Sequence, residues 1–144
     1  MTLIVRESTK RLAEQLDAEL SEFNERCAGP LQREQLALAI REGEHLLAGL
    51  SGEIFWNALY VHALWVAEQH RHQGYGRALL MRAEELARER GCDVVHLSTF
   101  EFQAPDFYTA LGYRPFGELV GVPRGSRRIW FAKALRPNEL KPTP

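Results

Sequence analysis

Cysteine is scarce in this 144-residue chain: Cys27 and Cys92 stand far apart, in no CxxC or CxxH spacing. A disulfide-stapled secreted scaffold or a structural zinc site needs more thiols at closer intervals, so reduced thiols are expected. Charge of one sign is lacking as well. The formal net charge is −1, which argues against bulk attraction to nucleic acid or an anionic membrane. Long hydrophobic runs are also missing. The longest mostly apolar stretch, residues 59–67, contains His62 and falls far short of a membrane span. The apolar run within residues 1–10 is too short for the core of a signal peptide. No His/Cys/Asp/Glu cluster has metal-ligand spacing, and no Ser/His/Asp arrangement presents itself. These absences predict a soluble, cytoplasmic protein with no membrane or nucleic-acid partner and no metal.

What is present is an ordinary globular composition, 45% hydrophobic and 26% charged, in a length that suits one domain. We expect that domain to span residues 1–136, with a flexible C-terminal tail at 137–144. Leu3, Ile4 and Val5 read as a short opening strand. Ser8 or Thr9 can cap a following helix, in which Leu12, Leu16, Leu20 and Phe23 recur at helical spacing until Gly29 and Pro30 stop it. Pro30 can open a second helix, with Leu36, Ala37 and Ile40 on its apolar face and Gly43 at its end. Residues 45–50, 53–58 and 59–67 read as strands, the first two joined by a hairpin turn at Ser51 and Gly52. A long helix is expected over 74–90, a strand over 94–98, and a short helix from Pro105 to the stop at Gly112. Two final strands, 113–120 and 127–135, flank a turn at 121–125. This order predicts an α+β fold, a mixed and mostly antiparallel sheet with helices on both faces. Its strand–long helix–strand unit would be a parallel crossover.

The most informative segment is 71–77, Arg71, His72, Gln73, Gly74, Tyr75, Gly76 and Arg77, which leads from an apolar strand into a helix. The first N–H groups of a helix lack partners and carry the positive end of its dipole, so they attract anions. Glycines there let phosphate oxygens approach the backbone. A dinucleotide fingerprint needs a small residue where Leu79 stands, and a P-loop needs Gly-Lys-Ser/Thr; neither pattern is met. What is left is R-x-x-G-x-G at a strand-to-helix junction.

The wider segment, from Leu64, Trp65 and Val66 through Arg77, Ala78, Leu79 and Leu80, resembles motif A of the GNAT superfamily of N-acetyltransferases. Residues 107–113, from Phe107 and Tyr108 through Gly112 and Tyr113, resemble its motif B. The resemblance implies a GNAT (acyl-CoA N-acyltransferase) fold and an acetyl-CoA-dependent N-acetyltransferase acting on a primary amine of a small molecule. It implies that Gln73, Gly74, Tyr75, Gly76 and Arg77 hold the coenzyme A pyrophosphate, with charge from Arg71 and His72. It implies too that the main chains of Trp65 and Val66 bind the pantetheine arm, one N–H polarising the thioester carbonyl. A homodimer is compatible with it. Many members carry Asn where Glu101 stands here, which leaves Glu101 outside the expected cofactor set. Two other readings compete: an acyl-CoA-binding sensor or interaction module, and a protein lysine or N-terminal acetyltransferase.

Acetyl transfer needs a neutral amine, a stabilised oxyanion and a proton for the departing thiolate. A phenol, with a pKa of roughly 10, suits the last task, and Tyr108 occupies the motif B tyrosine position. For the base, many members carry Glu near the place of Tyr60. Here His62, one pleat away, titrates in the useful range. Glu53, Glu118 and an ordered water are alternatives. We read Tyr60, His62, Leu64 and Val66 as one face of their strand. Phe55, Trp56, Tyr60, Trp65 and Trp130 could line an acceptor pocket, although most would be core. The run 124–128, with Arg124, Arg127 and Arg128, reads as a solvated hairpin tip.

Overall fold

A computed structural model describes residues 2–136 of the chain. The tail expected at 137–144 lies outside the described residues. Spatial proximity divides the chain after Gln32 into two compact units. In the first, helix α1 (Thr9–Ala28) carries the stripe expected from its leucine spacing. Leu16, Leu20 and Phe23 are exposed on it, and Gly29, at φ 87°, ends it by donating to Glu25 O. The strand expected at Leu3, Ile4 and Val5 does not form. A three-residue run offers too few ladder bonds to hold itself, and these residues join no sheet.

The second unit is a six-stranded sheet. Its strands are β1 (Glu34–Glu42), β2 (His45–Phe55), β3 (Ala58–Val66), β4 (Val94–Phe100), β5 (Arg114–Val120) and β6 (Arg127–Ala134), in spatial order β1-β2-β3-β4-β6-β5. Only β3 and β4 run parallel, joined by helix α2 (Tyr75–Glu89) as the crossover rule requires. A short helix, α3 (Asp106–Ala110), follows β4. The mixed, mostly antiparallel α+β architecture is therefore as expected.

Two elements expected in this unit take another form. The helix proposed after Pro30 is strand β1, because Leu36, Leu38 and Ile40 alternate at period two and pack on the core while Ala37 and Ala39 face out. The hairpin turn proposed at Ser51 and Gly52 lies instead inside continuous β2, and the chain reverses at Trp56 and Asn57. Gly52 is there for clearance. A Cβ on it would lie 2.6 Å from Tyr60 O and 3.4 Å from Val61 Cα.

That close approach marks a bulge. Ser51 pairs with Ala63 and Gly52 with Val61, so β3 inserts one extra residue, His62. The extra residue flips the alternation of faces. Leu59 and Val61 are buried before it, and Leu64 and Val66 pack on the same core after it, while Tyr60 and Trp65 point the other way. Tyr60, His62, Leu64 and Val66 therefore do not share one face. The core lies between this sheet and α2, whose Leu79, Leu80, Ala83 and Ala87 are buried against it. Each fully buried leucine, such as Leu59 or Leu80, contributes about 2 kcal/mol of transfer free energy.

Candidate active site

β3 and β4 pair at only three positions, ending with Tyr60 opposite His96. Beyond this row the two strands are no longer paired, and the C-terminal end of β3 and the segment that follows β4 border a cleft of about 670 Å³. Its walls are Leu64, Trp65 and Val66 of β3, the loop and first turn of α2, and the segment from Phe102 to Tyr108. Peptide direction along β3 follows from one bond. The N–H of Ala67 donates to Leu47 O, toward β2. Alternation then turns the peptide of Trp65 toward β2 and those of Leu64 and Val66 toward the gap. The Val66 carbonyl accepts a bond from Arg71 Nε at 3.2 Å, which pins that side chain across the loop.

The phosphate-type loop forms at the far end of the cleft. Gly74, at φ 85° and ψ 7°, is left-handed, and Tyr75 opens α2 directly after it. A left-handed residue followed by a helical one turns successive N–H groups to the same side, a concavity that suits an anion. His72 also has a positive φ of 66°, a conformation that costs a non-glycine residue and is concentrated at functional sites. Gly76 packs tightly between Phe107 and Val66, so the loop, the strand end and α3 are fixed relative to one another. Arg71, His72, Gly74, Tyr75, Gly76, Arg77, Trp65 and Val66 all line the cleft; Gln73 does not. His70, Phe102 and Gln103 line it without having been singled out in the sequence. Gln103 is held in place by accepting from Phe100 N–H at 2.9 Å.

Tyr108 is buried in the same cleft wall, edge-on to Phe107 and Tyr113, and burial pushes its phenol above the ordinary value. Its hydroxyl makes no hydrogen bond to another described residue. His62 lies elsewhere, on the sheet face opposite the core. Its Nε2 is 3.7 Å from Glu53 Oε2, and its ring stands edge-on to Tyr60 at 4.5 Å. Tyr60 in turn contacts the ring of His96 at 5.0 Å, and burial lowers the pKa of that imidazole. Glu53 Oε1 lies 2.8 Å from Arg33 Nε, but this is an ion-pair contact without hydrogen-bond alignment.

The remaining predicted residues separate by strand face. Phe55, Tyr60 and Trp130 share the face of His62, whereas Trp56 sits in the β2–β3 turn. Glu118 is on edge strand β5 and pairs with Arg127, which also pairs with Glu101, so it does not approach His62. The run 124–128 is not all hairpin tip: Arg127 and Arg128 belong to β6 and are half-buried. The alternation of Arg128 and Trp130 against Ile129 and Phe131 was the signal that could have shown this. Both cysteines are free thiols. Among the described residues no helix is long and apolar enough to cross a membrane.

Comparison with known proteins agrees with this geometry. The profile of the Acetyltransferase (GNAT) family matches residues 4–113. A blasticidin-S acetyltransferase from Streptomyces morookaense is 41% identical over 98 residues, 67% of this chain and 72% of that protein. An acetyltransferase of Agrobacterium fabrum, Atu2258, is 33% identical over 73% of this chain and 77% of its own length. The crystal structure of an acetyltransferase from Bacillus cereus superposes with a TM-score of 0.83 at 30% identity, covering 92% of this chain and 97% of that one. With the strand gap, the glycine loop and these relatives in agreement, the chain belongs to the GNAT acetyltransferase family and is an N-acetyltransferase.

Proposed function

We propose that the protein transfers the acetyl group of acetyl-CoA to a primary amine of a small molecule by direct attack on the thioester. One observation carries this reading: the gap that opens beyond Tyr60 and His96 runs from a phenol to a helix N-terminus. The cleft suits coenzyme A on its own features. First-turn N–H groups and Arg71 and Arg77 fit a pyrophosphate, and the inward peptides of Leu64 and Val66 fit an amide-bearing arm. The name of the blasticidin-S relative supports a small-molecule acceptor, and the two free thiols fit a cytoplasmic setting.

The chain's own groups then have distinct tasks. His62, steadied by the Glu53 carboxylate, takes the proton of the amine. An N–H of Leu64 or Val66 donates to the oxygen on which negative charge develops. Tyr108 gives its proton to the departing sulfur, and its raised pKa keeps that proton in place until the thiolate forms. One N–C bond forms and one C–S bond breaks. The enzyme is left with protonated His62 and ionised Tyr108, and exchange with water resets both.

The test is thiol release from acetyl-CoA across a panel of small amines, beside thermal shifts with coenzyme A, NAD and ATP. Amine-dependent thiol release and stabilisation by coenzyme A are expected. Stabilisation by ATP or NAD but not by coenzyme A would sink the reading. Tight binding of coenzyme A with no turnover on any amine would favour an acyl-CoA-binding module instead.

A further inference from the structure

Two neighbouring arginines on β6 are held differently. Arg127 is paired with Glu118 and Glu101. Arg128, on the face opposite the core, meets no carboxylate among the described residues. Its guanidinium lies over the rings of Phe100, at 5.6 Å, and Trp130, at 4.9 Å. Its Nε and Nη2 both donate to Ser98 Oγ, at 2.9 and 2.7 Å. That fixes the plane of the group and turns one edge of its fork to the hydroxyl. The end formed by Nη1 and Nη2 keeps its donors, in the parallel arrangement that binds an oxyanion through two bonds. A hydroxyl and two rings hold the guanidinium in place but leave its charge uncompensated.

Its position relative to the reaction is set by the strands. Ser98 follows His96 by two residues on the same face, and His96 is the last residue of β4 paired with β3. Arg128 therefore stands at the β4 side of the gap, with Glu53 and His62 at the β3 side. Strand spacing and rise put the two charges on the order of 12 Å apart. The Glu53 carboxylate is matched by Arg33, so the uncompensated charge on this face is that of Arg128, across the gap from His62, and it describes a ligand with an anionic group away from its amine.

We propose that the acceptor carries a carboxylate as well as its amine, as an amino-acid-like molecule does, and that Arg128 receives this carboxylate. The inference rests on the acetyl-transfer reading above and names the acceptor class for the same site. It is tested by calorimetric titration of protein preloaded with coenzyme A, in which no transfer occurs. Three amines of matched length are compared, ending in a carboxylate, a carboxamide and a phosphate monoester. The carboxylate is expected to bind about 10- to 100-fold more tightly than the carboxamide, the range for a hydrogen bond to a charged group. Arg128→Lys, which keeps the charge without the fork, should narrow this to several-fold, and Arg128→Gln to near one.

Equal binding of carboxylate and carboxamide by the unaltered protein overturns the proposal, as does a preference that survives Arg128→Gln. Tighter binding of the phosphate than of the carboxylate overturns the carboxylate assignment. A carboxylate preference without thiol release from acetyl-CoA supports the anion site and removes the transfer reading. Thiol release without the preference does the reverse.

Discussion

The carboxylate of Glu84 on α2, buried to 3% exposure, accepts the hydroxyl of Tyr113 at 2.9 Å and the ammonium of Lys133 at 2.9 Å. Three parts of the fold meet at this one group. α2 carries the phosphate-type loop, Tyr113 ends the segment that holds Tyr108, and Lys133 belongs to β6. The ring of Tyr113 also stands edge-on to Tyr108, and its own N–H bonds to Tyr108 O. Both walls of the cleft are thereby tied to each other through a contact outside it.

Removing one partner from such a cluster is costly, because the others stay buried without it. Glu84→Ala is expected to destabilise the protein by about 3 kcal/mol. Tyr113→Phe should cost about 1 kcal/mol, since Lys133 still satisfies the carboxylate. Urea unfolding of the two variants checks this order, and equal losses would contradict it.

Gly52 supports the bulge that carries His62. A Cβ there meets the Tyr60 carbonyl at 2.6 Å, and backbone cannot step aside as a side-chain end can. Gly52→Ala is expected to destabilise by about 1–3 kcal/mol, as overpacking does. It should also lower kcat by displacing His62. A fully stable Gly52→Ala protein would show that the strands have room to spare at this point.

Burial lowers the pKa of the His96 imidazole below its ordinary value of 6.5. The unfolded chain therefore binds this proton more readily than the folded one. The resulting stability is full above about 6.5, falls as pH drops through that value, and levels off below the lowered folded value. His96→Gln should flatten the acid-side decline in urea midpoint between about pH 7 and 5. An unchanged decline would place the titration on another group.

With Tyr108 as the acid proposed above, its raised pKa would set the alkaline side of catalysis. An acid that must be protonated keeps working until pH exceeds its own pKa. Activity limited by Tyr108 should therefore hold past the ordinary phenol value of roughly 10. The kcat profile against pH checks this, and a fall well below that value that is absent from Tyr108→Phe would contradict it.

Local signals in the sequence carried much of this account. Gly74, Gly76 and the helical spacing of α2 gave the loop, and Tyr108 stood out because it follows that loop at the spacing of a second motif. β1 is ambiguous in sequence because Ala37 and Ala39 suit a helix as well as a strand, and only Leu36, Leu38 and Ile40 show the period of two. Gly52 looked like a turn because a glycine that makes room and a glycine that bends the chain are the same letter. The Glu53–His62 and Ser98–Arg128 contacts depend on strand register, and the bulge depends on a residue count across two strands. Neither is written in any local window.

The most direct test of the central claim is Tyr108→Phe, measured for both transfer and binding. The kcat for a competent amine is expected to fall about 100-fold or more, the range for losing a general acid, while affinity for coenzyme A changes less than about twofold. A Tyr108→Phe enzyme that turns over at the unaltered rate would contradict that claim.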